Sequence, residues 1–339
     1  MDAEDKKASL ISEGKIFVSP EIRLPFPLSK STAGPGTGSA SVALSFDGTR
    51  VKLAVKREPC RFSLAQDAEG RFSILENGRQ FIGEVQVLKV PAHAPDQCFV
   101  NIHSHCIFKC AFCNSPRIKD TPRTTKQVAD FIIKTCKENN FSAIAITSAV
   151  PETVEKQIDD FVQVVREARK ALPGTAIGVE PYAETREQIQ QLKDAGADEI
   201  KLNIQAATPE ILANVCPGFN YEKSLALIAS AVQIFGKGKV TSNIIFGFGE
   251  SDVDVQKCAE TLASLGCIPT LRALRINDLN RATLKEALGF EPKPQEPERI
   301  VRLAEALKGI LEKHGLTTKS MNTMCAKCLC CDLVPFYDL

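Results

Sequence analysis

The sequence predicts an α/β protein: a partial (β/α)6 TIM-like barrel, preceded by a small β-rich domain and followed by a cysteine-rich tail. Three observations predict it. From residue 98 onward, strand patterns and helix patterns alternate. Before that, two runs of β-type residues are each broken by a hairpin dipeptide, Asp47-Gly48 and Asn77-Gly78. At the far end, four cysteines fall between residues 325 and 331 on a stretch without helix or strand periodicity. The expected units are a β domain over 1–95, the barrel over 96–316 and the tail over 317–339.

In the first unit, VALSF and TRVKLAV flank Asp47-Gly48, and RFSILE and RQFIGEVQV flank Asn77-Gly78. Such pairs readily adopt the positive φ angles of a type I′ turn. STAGPGTGSAS reads as a mobile loop. Its glycines lack the GK[ST] ending and the following helix that a phosphate cradle would need. PAHAPDQ over 91–97 links the two units.

In the barrel, CFVNI, SAIAIT, AIGVE, EIKLNI, VTSNIIF and TLRALRI read as six strands. Helical spacing fills the intervals, with Val128, Phe131, Ile132 and Cys136 on one face and Val154, Ile158, Phe161 and Val165 on another. Cys136 therefore reads as a buried thiol. Thr208 is placed to cap one helix, and Gly315 closes the long amphipathic helix before the tail. Chemistry in parallel barrels gathers at the carboxyl ends of the strands, where the unusual residues of this chain fall.

Composition excludes several classes of partner. The chain of 339 residues is 44% apolar and 24% charged with a formal net charge of +1, so no general field draws it to nucleic acid or anionic lipid. The opening MDAEDKKASLISEGK lacks the apolar core of a signal peptide, and no apolar run approaches the roughly 20 residues that span a bilayer. The expectation is a cytoplasmic enzyme. Thirteen cysteines without a secretory signal point to metal ligands or redox thiols and away from a disulfide framework.

Cys106, Cys110 and Cys113 form a C-x3-C-x2-C loop directly after the first barrel strand. Three thiolates can hold three irons of a [4Fe–4S] cube and leave the fourth open. Zinc would want a fourth ligand, which His103 or His105 is near enough to offer. The spacing, with Phe112 before the last cysteine and the loop set in a six-strand βα pattern, resembles the radical S-adenosylmethionine superfamily over roughly residues 98–315. The resemblance implies a cluster whose open iron binds S-adenosylmethionine (SAM). One electron then cleaves the cofactor to methionine and a 5′-deoxyadenosyl radical, which takes a hydrogen atom from substrate. The electron would come from ferredoxin or flavodoxin, under anaerobic conditions.

Further along, GVEPYAETREQIQQLKDAGADEIKLNIQAATPEI resembles the biotin synthase and hydrogenase-maturase branch, which is close to lipoyl synthase. The resemblance implies that Glu180 binds the SAM amino group and Asn203 its carboxylate. The branch carries an acidic residue near substrate where this chain has the neutral Gln205, a departure that weakens any inference of a shared substrate. VTSNIIFGFGESD resembles the strand that supports adenine, with Gly247 and Gly249 allowing close backbone approach and Glu250 either capping or pairing with the next helix. Ser242 and Asn243 on that strand are candidates to face the cofactor. Arg272 and Arg275, three apart on the last strand, are expected on opposite faces, one of them turned inward to bind an anion. Strand two ends in Thr147-Ser148, without the Gly-Gly-Glu-Pro-like turn of many members.

Cys325, Cys328, Cys330 and Cys331 are expected to carry a second [4Fe–4S] cluster, with zinc or a redox thiol pair as alternatives. Adjacent side chains diverge, so only one of Cys330 and Cys331 is expected to be a ligand, and the tail is expected to fold over the barrel mouth. The reactions open to such an enzyme are sulfur insertion, or rearrangement of a small molecule or peptide without sulfur donation. A non-enzymatic iron–sulfur or zinc scaffold is the reading from another class.

Overall fold

The computed structural model describes residues 1–31, 34–119 and 123–339. The chain opens on a helix that sequence reading missed, α1 (Ala3–Glu13), stopped by Gly14 at φ 67°. Seven strands follow: β1 (Lys15–Val18), β2 (Ser29–Lys30), β3 (Ala40–Phe46), β4 (Thr49–Lys56), β5 (Phe62–Gln66), β6 (Phe72–Glu76) and β7 (Arg79–Val87). Their order is β2-β3-β4-β1-β5-β6-β7, and β7 also pairs with β3. Six strands thus close on themselves as a small barrel, which hides edges that would otherwise invite pairing with other chains. Both expected hairpin turns form, with positive φ at Asp47 and Gly48 and at Asn77 and Gly78. In the glycine-rich loop, Thr32 and Ala33 lie outside the described residues. The neighbouring Pro35 is tied down, its carbonyl accepting from Asn114 and Asn277 at 2.8 Å each.

The second sheet holds β8 (Cys98–Asn101), β9 (Ala143–Thr147), β10 (Ala176–Glu180), β11 (Glu199–Lys201), β12 (Val240–Phe246) and β13 (Ile268–Ala273). All pairings are parallel and in sequence order, so the sheet is the expected partial barrel, with β8 and β13 as its two edges. Between and after the strands run α2 (Thr125–Asn139), α3 (Val154–Ala171), α4 (Arg186–Asp194), α5 (Pro209–Val215), α6 (Tyr221–Phe235), α7 (Asp252–Ser264), α8 (Arg281–Leu288) and α9 (Pro297–Lys313). Their starts are written locally. The hydroxyls of Thr124, Thr153, Thr185, Thr208 and Ser251 each accept an amide of the first turn. Cys136 is buried on the inner face of α2 as expected.

The tail departs from expectation. It does not cover the carboxyl mouth but enters the barrel from the amino end. Ser320 donates to the carbonyl of Gly238 just before β12, and Asn322 and Thr323 donate to the buried carboxylate of Glu199, the first residue of β11. Thr323 then lies flat on β10: a Cβ added to Gly178 would stand 2.8 Å from its Cβ. The last helix, α10 (Met324–Cys328), is held by Gln97, whose side chain bonds both the amide and the carbonyl of Met324.

The beginning of the chain locks this end in place. Lys7 is fully buried on α1 and donates to Asp338 and to the carbonyl of Leu329, each at 2.7 Å. Thr49 of β4 reaches the same carboxylate. A buried pair is costly to break, since either partner left alone is an uncompensated charge worth about 3–5 kcal/mol.

Candidate active site

The first cysteine loop leaves β8 at the carboxyl end of the sheet. Cys110 and Phe112 are buried there, and Phe112 packs against Phe248 with ring centroids 5.8 Å apart. The loop is pinned at several points. The Ala111 amide donates to Val215, Asn280 donates to the Phe112 carbonyl, and Arg117 donates to the Cys113 carbonyl. Asn280 is fixed because it opens α8, a helix that periodicity did not reveal. Phe108, Tyr182 and Phe219 form an aromatic trio beside the loop, centroids 4.7–5.1 Å apart.

Burial pushes the thiol of Cys106 up and that of Cys113 up to about 11. Cys110 lies well above its ordinary value, first through its hydrogen bond with Cys216 and then through burial. All three are therefore neutral thiols in the metal-free chain, and iron must displace their protons. The two histidines are engaged elsewhere. His103 Nε2 lies 2.7 Å from Asp160, and His105 Nδ1 lies 3.0 Å from the carbonyl of Ile118. As the side chains stand, no three His, Cys, Asp or Glu groups among the described residues converge tightly enough to chelate a metal ion.

Beside the loop, the ends of β10 and β11 bring Glu180 and Asn203 together, with Asn203 Nδ2 donating to Glu180 at 2.7 Å. Asn203 Oδ1 accepts from the Asn243 amide, so both ends of this side chain are in use. Asn243 is buried, and its own Oδ1 has no hydrogen-bond partner among the described residues. A buried acceptor left unmet is suited to a donor such as an ammonium group. Ser242 does not share that face. It is fully buried and its hydroxyl accepts the Ile204 amide, so it shapes the strand instead. Gln205 sits in the left-handed region at φ 68°.

Gly247 and Gly249 have φ of 112° and 109°, as the turn requires. Glu250 caps this turn, accepting the amides of Gly247 and Phe248, and pairs with Arg299 at 3.0 Å. Thr147 is buried at the end of β9, and Ser148 accepts the amide of His103.

The tail thiols gather lower in the barrel among cations. Cys325 accepts from Lys201 at 3.3 Å and from Arg272 at 3.2 Å. Arg272 also pairs with Asp332 at 2.7 Å. β13 ends at Ala273, so strand alternation does not extend to Arg275. The expectation of opposite faces therefore fails, and both guanidiniums act on Cys331, where burial raises the thiol and the two arginines lower it. Cys328, Cys330 and Cys331 share one small apolar cluster with Ala94 and Phe99. Lys52 reaches in from the N-terminal barrel, 4% exposed, donating to the carbonyl of His93. His93 is held well below its ordinary value by burial and by the charges of Lys52, Arg272 and Arg275. Arg272 Nε and Arg275 Nη2 are buried without hydrogen-bond partners among the described residues. The region carries a surplus of positive charge, which suits an anionic group such as deprotonated thiols.

Sequence reasoning missed Lys52, Lys201, Glu199 and Asp332. A signal existed for two of them: in EIKLNI, Glu199, Lys201 and Asn203 alternate with Ile200, Leu202 and Ile204. Charged residues at alternate positions of a strand buried on both faces mark an interior polar network.

A cysteine loop at the mouth of a six-strand parallel barrel, beside a carboxylate–amide pair, defines a class of iron–sulfur enzymes that work on a bound cofactor. Residues 100–262 match the family described as the Radical SAM superfamily. The chain therefore carries a radical SAM domain over these residues. It is 29% identical over 179 residues to lipoyl synthase of Kineococcus radiotolerans, covering 48% of this chain and 49% of that protein. The chain spans about half the length of the curated relatives it matches. In fold it is similar to the FeFe-hydrogenase maturase HydG of Carboxydothermus hydrogenoformans, with a TM-score of 0.54, 14% identity, and coverage of 64% of this chain and 52% of that one. It is also similar in fold to methylornithine synthase (PylB), with a TM-score of 0.53, 18% identity, and coverage of 62% and 61%. No helix among the described residues is long and apolar enough to cross a membrane.

Proposed function

We propose that this chain holds one [4Fe–4S] cluster on Cys106, Cys110 and Cys113 and a second on the tail, and uses them for sulfur insertion at a carbon of a small molecule or peptide. When bound, the first cluster supplies the electron that cleaves SAM to methionine and the 5′-deoxyadenosyl radical. The chain's own residues bind, orient and exclude water. Glu180 and Asn243 Oδ1 present acceptors to the amino group of SAM. Phe112 and Phe248 close the side of the loop against water. The tail presents Cys325, Cys328, Cys330 and Cys331 among Lys52, Lys201, Arg272 and Arg275. A ferredoxin or flavodoxin serves as reductant.

The observation that carries the sulfur reading is the position of the tail. Its first cysteine, Cys325, lies against the barrel strands and is joined to Glu180 through the single side chain of Lys201. Similarity to lipoyl synthase over 48% of the chain supports it. Anaerobic reconstitution of the wild-type chain with iron and sulfide is expected to give about eight irons, falling to about four in Cys325→Ala/Cys328→Ala. Cys106→Ala is expected to abolish 5′-deoxyadenosine formation with dithionite and SAM. Loss of sulfide in step with 5′-deoxyadenosine supports donation. An intact second cluster after turnover favours rearrangement without sulfur transfer, and no 5′-deoxyadenosine in the wild type favours a scaffold.

A further inference from the structure

Lys201 occupies a place that neither cysteine cluster explains by itself. It ends β11 with its side chain 3% exposed, between the Glu180 carboxylate at 3.7 Å and the Cys325 sulfur at 3.3 Å. Glu180 is also held by Asn203 at 2.7 Å, and Cys325 by Arg272 at 3.2 Å. A continuous file therefore runs Asn203–Glu180–Lys201–Cys325–Arg272–Asp332 through the barrel interior. Every other link is neutral or fixed by a second partner. Lys201 alone divides one ammonium between the cofactor end and the tail, and its stem has the rotors to shift between them.

Resting on the reading above, we propose that Lys201 is a positioning residue that couples occupancy of the cofactor site to the electron affinity of the tail cluster. The amino group of SAM is a cation, and so is Lys201. When the first takes up Glu180, the second loses its partner there and is repelled toward Cys325. Positive charge brought to a cluster ligand stabilises the more negative, reduced state. The tail cluster's potential rises on cofactor binding, and by linkage the reduced tail cluster binds the cofactor more tightly by the same factor. Arg272 holds Cys325 from the other side and does not move, because Asp332 fixes it.

The test uses the reconstituted full chain and S-adenosylhomocysteine, which carries the amino and carboxylate groups of SAM and is not cleaved as a sulfonium. Redox titration followed by electron paramagnetic resonance gives the midpoint of each cluster with and without this probe. In the wild type the tail midpoint is expected to shift upward with the probe. Lys201→Met is expected to start lower and show no shift, and Lys201→Arg, which keeps the charge, to recover part of it. The dissociation constant of the probe is expected to be on the order of five-fold weaker for the oxidised tail cluster than for the reduced one in the wild type, and equal for both in Lys201→Met. If Lys201→Met fails to hold about eight irons, Lys201→Arg decides: a retained shift supports the proposal and its absence overturns it. A wild type with about eight irons and no shift overturns the coupling alone, whereas about four irons with 5′-deoxyadenosine formed overturns both the coupling and the tail cluster.

Discussion

The two cysteine groups of this chain are alike in composition and opposite in surroundings. The loop at 106–113 is packed among Phe108, Phe112, Tyr182 and Phe248, and Arg117 is the cation beside Cys110 among the described residues. The tail is ringed by Lys52, Lys201, Arg272 and Arg275, drawn from three separate parts of the fold. A cluster of thiolates and iron is an anion wherever it sits, so the missing positive charge at the loop must arrive with the ligand. SAM, a sulfonium carrying an ammonium, brings it. At the tail the protein provides that charge permanently. On the proposed reading, one site is built for a cationic visitor and the other carries its own balancing charge.

The strongest way to break that contrast is to eject the tail without touching a cysteine. Gly178→Ala, in the middle of β10, places a methyl group against the Thr323 side chain. Iron content is expected to fall from about eight to about four while 5′-deoxyadenosine formation persists. An unchanged iron count would mean that the tail cluster does not depend on insertion between the strands.

A second variant acts on the clasp. Lys7→Met leaves the Asp338 carboxylate buried without its cation. The chain is expected to lose about 3–5 kcal/mol in denaturant unfolding, with tail iron more easily chelated than loop iron. Equal chelation of the two would remove the idea that the clasp serves the tail.

The smallest effect is in the metal-free chain. Folding raises the thiols of Cys113 and Cys258 from their ordinary value to about 11. Raised values favour the protonated form, so this contribution is complete below pH 9, the ordinary thiol value, and is lost as pH climbs toward 11. Iodoacetamide is expected to modify Cys113 slowly at pH 8 and progressively faster through that window. A rate already at its plateau by pH 9 would show that the loop thiol is not buried in this way.

The sequence made the barrel legible because each parallel strand is a compact apolar run and each helix carries its own cap, as at Thr208. Asp47-Gly48 and Asn77-Gly78 made the hairpins legible for the same local reason. α1 was missed although Asp2, its acidic first turn and Gly14 mark a helix, because charge along MDAEDKKASLISEGK masked its buried face. The path of the tail was not legible. Its anchors, Gln97, Glu199, Lys201 and Arg272, are separated from it by 53–227 residues, and no local pattern records such pairings. Gly178 within AIGVE was the one local trace, since a glycine inside a strand marks close approach of another backbone.

The hydrogen bond between Lys7 and Asp338 spans 331 positions of sequence. The helix that carries Lys7 finds the partner of its buried ammonium only when the two ends of that span have come together. Contacts of that range close late and slowly. On the proposed reading, the clasp is the last contact to close over the tail, so the second site is expected to take up iron more slowly than the loop at the mouth.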